Sequence, residues 1–158
     1  SVGFLFEEKV MERHLVRSMV ESYDIPLRLL KGIKNGDDYV TPDGELVPNE
    51  RLSTPPTPPR RFAYCSDTAY SEKIVELIRG VDCLYHETTF LSEDVVRAKQ
   101  TLHSTAAQAA QIAQAAEVGK LIIGHYSARY RQIAPFLEEA KAIFPNTVGA
   151  TDGAQFDI

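Results

Sequence analysis

The sequence predicts an α/β fold, because short apolar segments typical of strands alternate with segments of helical periodicity over its second half. The chain has 158 residues, of which 44% are hydrophobic and 25% are charged, and these values are ordinary for a globular domain. No apolar run approaches the ~20 residues that a membrane-spanning helix needs. We therefore expect a globular protein with no membrane association and a cytoplasmic location.

Three parts are expected along the chain. Residues 1–25 predict a strand (2–6) and a helix (11–23) of the domain body. Residues 26–60 contain turn signals and a proline-rich run, which predict a protruding arm or hairpin and a stiff linker. Residues 61–158 form the regular βα part. Within it the pattern predicts strands over 62–65, 81–85 and 120–123, helices over 71–78, 104–116 and 133–144, and closing strands over 147–150 and 155–158.

Both cysteines, Cys65 and Cys83, lie in short apolar runs. This position is typical of a buried free thiol, and two such residues give no support to a disulfide framework. We expect a reducing compartment. The formal net charge of −5 is unusual for a protein that binds a polyanion. It does not exclude one, because bound divalent ions can be the largest positive charges of a site.

Polar clusters follow the predicted strands of the second half or begin its alanine-rich helix. They are Ser66-Asp67-Thr68, His86-Glu87-Thr88-Thr89, Leu102-His103-Ser104-Thr105 and His125-Tyr126-Ser127. The carboxyl ends of parallel strands meet at one edge of a sheet, where ligands of α/β folds bind. Histidine and carboxylate side chains are the ligands and proton carriers of hydrolytic metal sites. The clusters together therefore favour such a site.

Each residue of these clusters also has a simpler interpretation when it is taken alone. Asp67 is a good turn residue, and Ser104 or Thr105 is a good helix cap. His14 has only the simple interpretation, because it lies beside Arg13 in a predicted amphipathic helix and is expected on the solvated surface.

The four clusters, in this order and at these separations, resemble the C-terminal half of the ribonuclease Z family, the tRNA 3′-processing endonucleases of the metallo-β-lactamase superfamily. The resemblance covers nearly the whole chain. It implies the C-terminal half of an αββα sandwich with an inserted substrate-binding arm. It also implies an enzyme that removes the 3′ trailer of precursor tRNA by attack of a zinc-activated hydroxide, usually as a homodimer.

The resemblance carries roles for six residues. It implies that Asp67 bridges two zinc ions and that His125 is a terminal ligand of one. Glu87 and His103 match the pair that acts beside the scissile phosphate, where the histidine protonates the leaving 3′-oxygen and the carboxylate fixes its tautomer. Arg129 and Ser127 are expected to contact the substrate phosphate.

Three departures from the family pattern are visible in the sequence. Thr88 stands where alanine is usual, and Ile25-Pro26-Leu27-Arg28 replaces the glycine-proline dipeptide of the arm. The motif His-x-His-x-Asp-His, which supplies most zinc ligands, does not occur in the chain. We therefore expect the isolated chain to be inactive, to bind zinc weakly and to need a missing N-terminal half of the same fold. Half of a sandwich should expose an apolar sheet face, with Ala63, Cys65, Cys83 and Ile122 on it.

Two alternative functions stay open at the level of sequence. A metallo-β-lactamase-fold phosphodiesterase for small substrates needs no RNA-binding surface, and the cations of the predicted arm are balanced by its acids. A non-catalytic interaction fragment is the other alternative, and the missing zinc ligands favour it for the isolated chain.

Overall fold

The computed structural model describes residues 2–158, which divide into two compact units. One unit contains the residues up to Glu7 together with Arg60–Ile158, and the other is Glu8–Pro59. This division differs from the one expected from the sequence, which assigned residues 1–25 to the domain body. The structure places the stretch from Glu8 to Ile25 with the predicted arm, because Leu15, Met19 and Ile25 pack in the core of the second unit.

The strands are β1 (Phe4–Glu7), β2 (His14–Leu15), β3 (Tyr39–Val40), β4 (Leu46–Val47), β5 (Ser53–Thr54), β6 (Arg61–Cys65), β7 (Cys83–Glu87), β8 (Lys120–Gly124) and β9 (Thr147–Gly149). The α-helices are α1 (Arg17–Ser22), α2 (Leu30–Lys34), α3 (Asn49–Leu52), α4 (Val95–Thr101), α5 (Ala106–Ala115) and α6 (Ala134–Lys141). Short 3₁₀ helices cover Leu27–Leu29, Glu72–Ile74 and Ser92–Asp94. No helix within residues 2–158 is long and apolar enough to cross a membrane.

The first unit is built on a five-stranded sheet in the order β1-β6-β7-β8-β9. β1 pairs with β6 in antiparallel fashion, and the remaining neighbours are parallel. The expected α/β class is thus confirmed. The apolar run Leu121-Ile122-Ile123 is buried in β8, as is typical of a central parallel strand.

One face of the sheet packs against α5 and α6. Leu84 and Leu121 of the sheet belong to the same buried cluster as Ala109 and Ile112 of α5. Thr105 begins α5 with a capping box, in which its hydroxyl accepts the N–H of Gln108 and the Gln108 side chain accepts the N–H of Thr105. Each Å² of apolar surface that is removed from water contributes about 25 cal/mol to stability. The contact between the sheet and these helices is therefore the main stabilising contact of the unit.

The opposite face of the sheet is aromatic. Phe6 stacks on Phe62 with ring centroids 6.0 Å apart, and Tyr64 stacks on Tyr85 at 4.7 Å. Phe4 and Phe6 on the edge strand are 55% and 56% exposed. We name this surface, made of Phe4, Phe6, Phe62, Tyr64 and Tyr85, the aromatic face.

The exposed sheet face predicted from Ala63, Cys65, Cys83 and Ile122 is therefore wrong in its residues, because all four side chains are buried. Ala63 and Cys65 belong to the core with the helices. Cys83 and Ile122 are in register with Phe62 and Tyr85, whose large rings take the solvent-facing positions. Both thiols are free, as expected, and burial raises the pKa of each.

Several predicted elements of the first unit differ in the structure. The helix expected over 71–78 is a 3₁₀ helix (Glu72–Ile74) followed by turns, and the closing strand expected over 155–158 does not form. β7 extends two residues beyond the predicted strand, so that His86 and Glu87 lie within it. Because side chains alternate along a strand, His86 and Glu87 must project to opposite faces.

The second unit is more compact than the predicted arm. Its five buried apolar residues are Ile25, Ile33, Tyr39, Val47 and Leu52. The side chain of Asn49 connects α3 to the end of α2 and the loop that follows it. Its nitrogen donates to the carbonyls of Ile33 at 2.7 Å and Asp37 at 2.8 Å. Such a core replaces the sparsely apolar arm that the turn signals suggested.

Local elements of the second unit also differ from the prediction. The helix expected over 11–23 is reduced to α1, because His14–Leu15 pair with Ser53–Thr54 as short strands. His14 is exposed, as expected, but it lies in β2 and not in a helix. The hairpin of β3 and β4 turns at Gly44, whose φ of +88° favours glycine.

Candidate active site

Four of the six predicted site residues meet at the carboxyl ends of the parallel strands. Asp67 follows β6, Glu87 ends β7, and His125 follows β8. Asp67 and His125 both have left-handed backbones, with φ of +50° and +62°. This conformation is unfavourable for residues other than glycine, and it is concentrated in proteins at functional sites. His103 reaches the group from the loop between α4 and α5.

Glu87 is fully buried and accepts five hydrogen bonds. Its Oε1 accepts the backbone N–H groups of Thr68 and Ser104, each at 3.1 Å, and Nδ1 of His103 at 2.8 Å. Its Oε2 accepts the backbone N–H of Thr89 at 2.9 Å and the Thr89 hydroxyl at 2.7 Å. All five partners are donors, so the buried carboxylate is well satisfied. Glu87 therefore joins the ends of three loops.

This arrangement sets the tautomer of His103. Because Glu87 Oε1 can only accept, Nδ1 of His103 carries the proton of their 2.8 Å hydrogen bond. The other ring nitrogen, Nε2, is left to accept or deliver a proton. The His103 ring is partly exposed and stacks on the His125 ring with centroids 5.3 Å apart.

Thr89 links the His103–Glu87 pair to His125. Its hydroxyl lies 2.8 Å from Nδ1 of His125. The single hydroxyl proton is donated to Glu87, so Nδ1 of His125 must be the donor to Thr89. Neutral His125 then has its unprotonated nitrogen at Nε2. A ligating histidine commonly has its second nitrogen fixed in this way.

The Asp67–His125 pair is suited to holding a cation. Oδ1 of Asp67 lies 3.0 Å from Nε2 of His125. With Nδ1 protonated, both facing atoms are acceptors, and a proton or a cation is required between them. The ligand atoms of Asp67, His103 and His125 all lie within 4.8 Å of one another. Carboxylate oxygen and imidazole nitrogen are ligands that zinc accepts, so the donor set fits that metal.

The two predicted phosphate contacts lie at the margin of this group. The backbone N–H of Ser127 donates to the carbonyl of Thr89 at 3.1 Å. Arg129 pairs with Asp94 at 3.5 Å, and its guanidinium lies 5.9 Å from the centroid of the Phe90 ring. Phe90 in turn contacts the His103 ring edge-on at 6.2 Å. Arg129 is thus separated from His103 by one aromatic ring.

Sequence reasoning did not assign roles to Thr89 and His86. A signal for Thr89 was present in the sequence, because it lies two residues after Glu87. In an extended chain, side chains two residues apart project to the same side. His86 projects into the core, where its Nδ1 donates to the carbonyl of Glu87 at 2.7 Å. Its buried Nε2 has no hydrogen-bond partner in the described part of the chain, and burial lowers the pKa of this ring.

Comparisons with known proteins agree with this fold. Residues 54–126 match the family described as "Beta-lactamase superfamily domain". Ribonuclease Z of Parabacteroides distasonis is 51% identical over 156 residues, which are 99% of this chain and 51% of the relative. Ribonuclease Z of Bacteroides thetaiotaomicron is 57% identical over 150 residues, 95% of this chain and 48% of the relative. The chain spans about half the length of these curated relatives.

Among solved structures, a long-form RNase Z from yeast has a TM-score of 0.53 and 25% identity, over 60% of this chain and 13% of that one. The match supports the fold that the sheet and its helices display. The chain is therefore similar over nearly its whole length to about half of the ribonuclease Z relatives, and it has the fold of the β-lactamase superfamily domain that its central residues match.

Proposed function

We propose that this chain is part of a zinc-dependent endoribonuclease that removes the 3′ trailer of precursor tRNA. The observation that carries the proposal is the Glu87–His103 pair beside the Asp67–His125 pair, joined through the Thr89 hydroxyl. This combination suits phosphodiester hydrolysis, which requires charge compensation at phosphorus and a proton donor for the leaving oxygen. The names of the relatives support tRNA processing as the context, and a cytoplasmic location is part of the proposal.

In this mechanism Asp67 and His125 would hold zinc. Zinc bound there supplies Lewis acidity that activates the attacking water and offsets the charge of the phosphate. His103, after taking up at Nε2 the proton that the attacking water loses, would deliver that proton to the leaving 3′-oxygen as the bond between phosphorus and that oxygen breaks. Glu87 holds Nδ1 of His103, so the ring stays oriented toward the substrate. The products are a 3′-hydroxyl on the tRNA and a 5′-phosphate on the trailer.

Arg129 and Ser127 are proposed to contact the non-bridging phosphate oxygens. A guanidinium group matches these oxygens well. In the structure it is paired with Asp94, so Arg129 would exchange that carboxylate for the substrate. The exchange is feasible for a side chain that is partly exposed, because exposed ion pairs contribute little stability.

We also propose that an N-terminal half of the same fold completes the site. Asp67 and His125 are two ligands, and a stable zinc site needs three or four. The aromatic face offers a place for this half to pack, since exposed apolar patches on a sheet usually mark an interface. The isolated chain is then inactive and binds zinc weakly, and the complete protein is a homodimer. We call this chain together with its N-terminal half the full-length protein.

The test is cleavage of a precursor tRNA with a labelled 3′ trailer by the zinc-loaded full-length protein. The expected products are one tRNA with a 3′-hydroxyl and one trailer with a 5′-phosphate. Hydrolysis of bis(p-nitrophenyl) phosphate without cleavage of the precursor would favour a phosphodiesterase for small substrates. Inactivity on both substrates, with zinc bound, would favour a non-catalytic protein.

A further inference from the structure

A cavity of about 570 Å³ lies beside His103 in the first unit. Its walls include Tyr70, Val95, Val96, Lys99, Leu102 and His103. The walls are thus apolar and aromatic, with one cation, and the site histidine forms part of them. We propose that this cavity binds the nucleobase immediately 5′ of the scissile phosphate, which is the last base of the mature tRNA. This inference rests on the proposed function.

The exposure of the walls supports a ligand in this place. Val96 is 69% exposed and Leu102 is 68% exposed, and both border the same cavity as Val95 and Tyr70. Single exposed apolar residues are common on protein surfaces, whereas several around one concave site mark a binding site. The hydroxyl of Tyr70 donates to Glu72 at 3.1 Å, which restrains the ring at the cavity wall.

The backbone at Leu102 adds a second argument. Leu102 ends α4 in the left-handed conformation, with φ of +61°. The turn is needed, because it lets the backbone N–H of His103 bond to the carbonyl of Ala98 at 2.8 Å and brings His103 to Glu87. Stability alone would favour glycine or asparagine at such a position. A large, solvent-exposed leucine there is explained by a contact with substrate.

The chemistry of His103 identifies which base occupies the cavity. The walls of the cavity include His103 but neither Asp67 nor His125. His103 protonates the leaving 3′-oxygen in the proposed mechanism, and that oxygen belongs to the nucleotide 5′ of the broken bond. The sugar and base of this nucleotide therefore lie on the His103 side. A purine or pyrimidine stacks well on aromatic and aliphatic walls.

Polar groups of the cavity match the rest of a nucleotide. Lys99 forms no ion pair with another residue of the described range 2–158, so its ammonium group is available to a phosphate. Gln108 also lines the cavity, and its side-chain oxygen accepts the N–H of Thr105. Its NH₂ group is left to donate to an acceptor on the base edge.

The first test uses Leu102→Asn in the full-length protein. Asparagine tolerates the left-handed backbone, so His103 stays in place while the apolar wall is lost. We expect the KM for precursor tRNA to rise about tenfold, the range found for loss of one base-stacking contact. Leu77→Asn is the matched control, because Leu77 is equally exposed at 69% and lies outside the cavity walls. Its KM should equal that of the wild type.

The same variants are then compared on a precursor that lacks only the base 5′ of the cleavage site. On this abasic substrate the KM of the wild type and of Leu77→Asn should be about tenfold higher than on the intact precursor. The KM of Leu102→Asn should be nearly the same on both substrates, because this variant has already lost the contact with the base. A wild-type KM for Leu102→Asn, or an undiminished abasic effect in that variant, would overturn the proposal.

A binding measurement separates this inference from the proposed function. Nucleoside 3′-monophosphates place the base 5′ of the phosphate, and nucleoside 5′-monophosphates place it on the other side. We expect the 3′ compounds to shift the methyl NMR signals of Val96 and Leu102, and the 5′ compounds to leave them unchanged. Such shifts in a protein that cleaves no precursor tRNA would support the cavity and contradict the proposed function. If the protein cleaves precursor tRNA but Leu102→Asn leaves the KM unchanged, the role of the cavity is contradicted and the proposed function is not.

Discussion

The hydroxyl of Thr89 accepts a hydrogen bond from Nδ1 of His125 at 2.8 Å and donates one to Glu87 at 2.7 Å. One side chain thus connects the group proposed to hold zinc with the group proposed to orient the proton donor. The hydroxyl also fixes which nitrogen of His125 faces Asp67. Support of this kind around a ligand commonly affects metal affinity as strongly as it affects catalysis.

Thr89→Val should lower the zinc affinity of the full-length protein by about 10- to 100-fold, because His125 loses the acceptor that fixes its tautomer. Competition with a chelator measures this change. Thr89→Ser keeps the hydroxyl and should restore most of the affinity. Thr88→Val is the matched control, since the Thr88 hydroxyl donates to the carbonyl of Gly124 and not to a site residue. Equal zinc loss in both valine variants would contradict the assignment.

Asp67→Ala and His103→Ala should separate metal binding from proton transfer. Asp67→Ala is expected to lose zinc and activity together, because the carboxylate is a ligand. His103→Ala should keep zinc and lose turnover by ~10²–10⁴, the usual contribution of a general acid. Elemental analysis and kcat measured on the same preparations distinguish the two. Zinc loss of similar size in both variants would mean that His103 is also a ligand.

Glu87→Gln should destabilise the protein as well as reduce its activity. The amide places an NH₂ group either where Oε1 accepts the N–H groups of Thr68 and Ser104 or where Oε2 accepts the N–H of Thr89. One buried donor is then left facing another, at a cost of about 1–3 kcal/mol. Urea unfolding measures the change. Glu76→Gln, which alters an exposed ion pair with Arg79, should leave the unfolding midpoint where it was.

His86 should make the fold sensitive to mild acid. Burial lowers the pKa of this ring below its ordinary value of 6.5. Just below pH 6.5 the imidazole is therefore protonated in the unfolded chain but stays neutral in the folded chain. The stability from His86 is fully present above pH 6.5 and is lost as the pH falls below it, by up to about 1.4 kcal/mol per pH unit.

The measurement is urea unfolding of wild type and His86→Gln between pH 5 and pH 8. The variant lacks the titrating ring, so its stability should fall less steeply in acid than that of the wild type. His14→Gln, which changes an exposed histidine, should follow the wild-type profile. Parallel profiles for wild type and His86→Gln would show that His86 takes no part in the acid response.

The sequence by itself determined those features that depend on neighbouring residues or on strand ends. Short, mainly apolar segments predicted β6, β7 and β8, and the threonine and glutamine that begin α5 form their capping box locally. The polar clusters at the strand ends predicted the meeting of Asp67, Glu87, His103 and His125, because parallel strands end at one edge of the sheet.

Only the tertiary structure decided which atoms of these residues meet. The tautomer of His125 follows from a Thr89 hydroxyl that is 36 residues away in sequence. The same is true outside the site, where pairing of β2 with β5, between residues that are 38 and 40 positions apart, converts part of a predicted helix into strand. The apolar periodicity of residues 11–23 is compatible with a helix when it is considered alone. The apolar side chains that bury this segment come from residues 25–52, and they determine its conformation. Local patterns cannot report such contacts, because their free energy depends on groups that only the folded chain brings together.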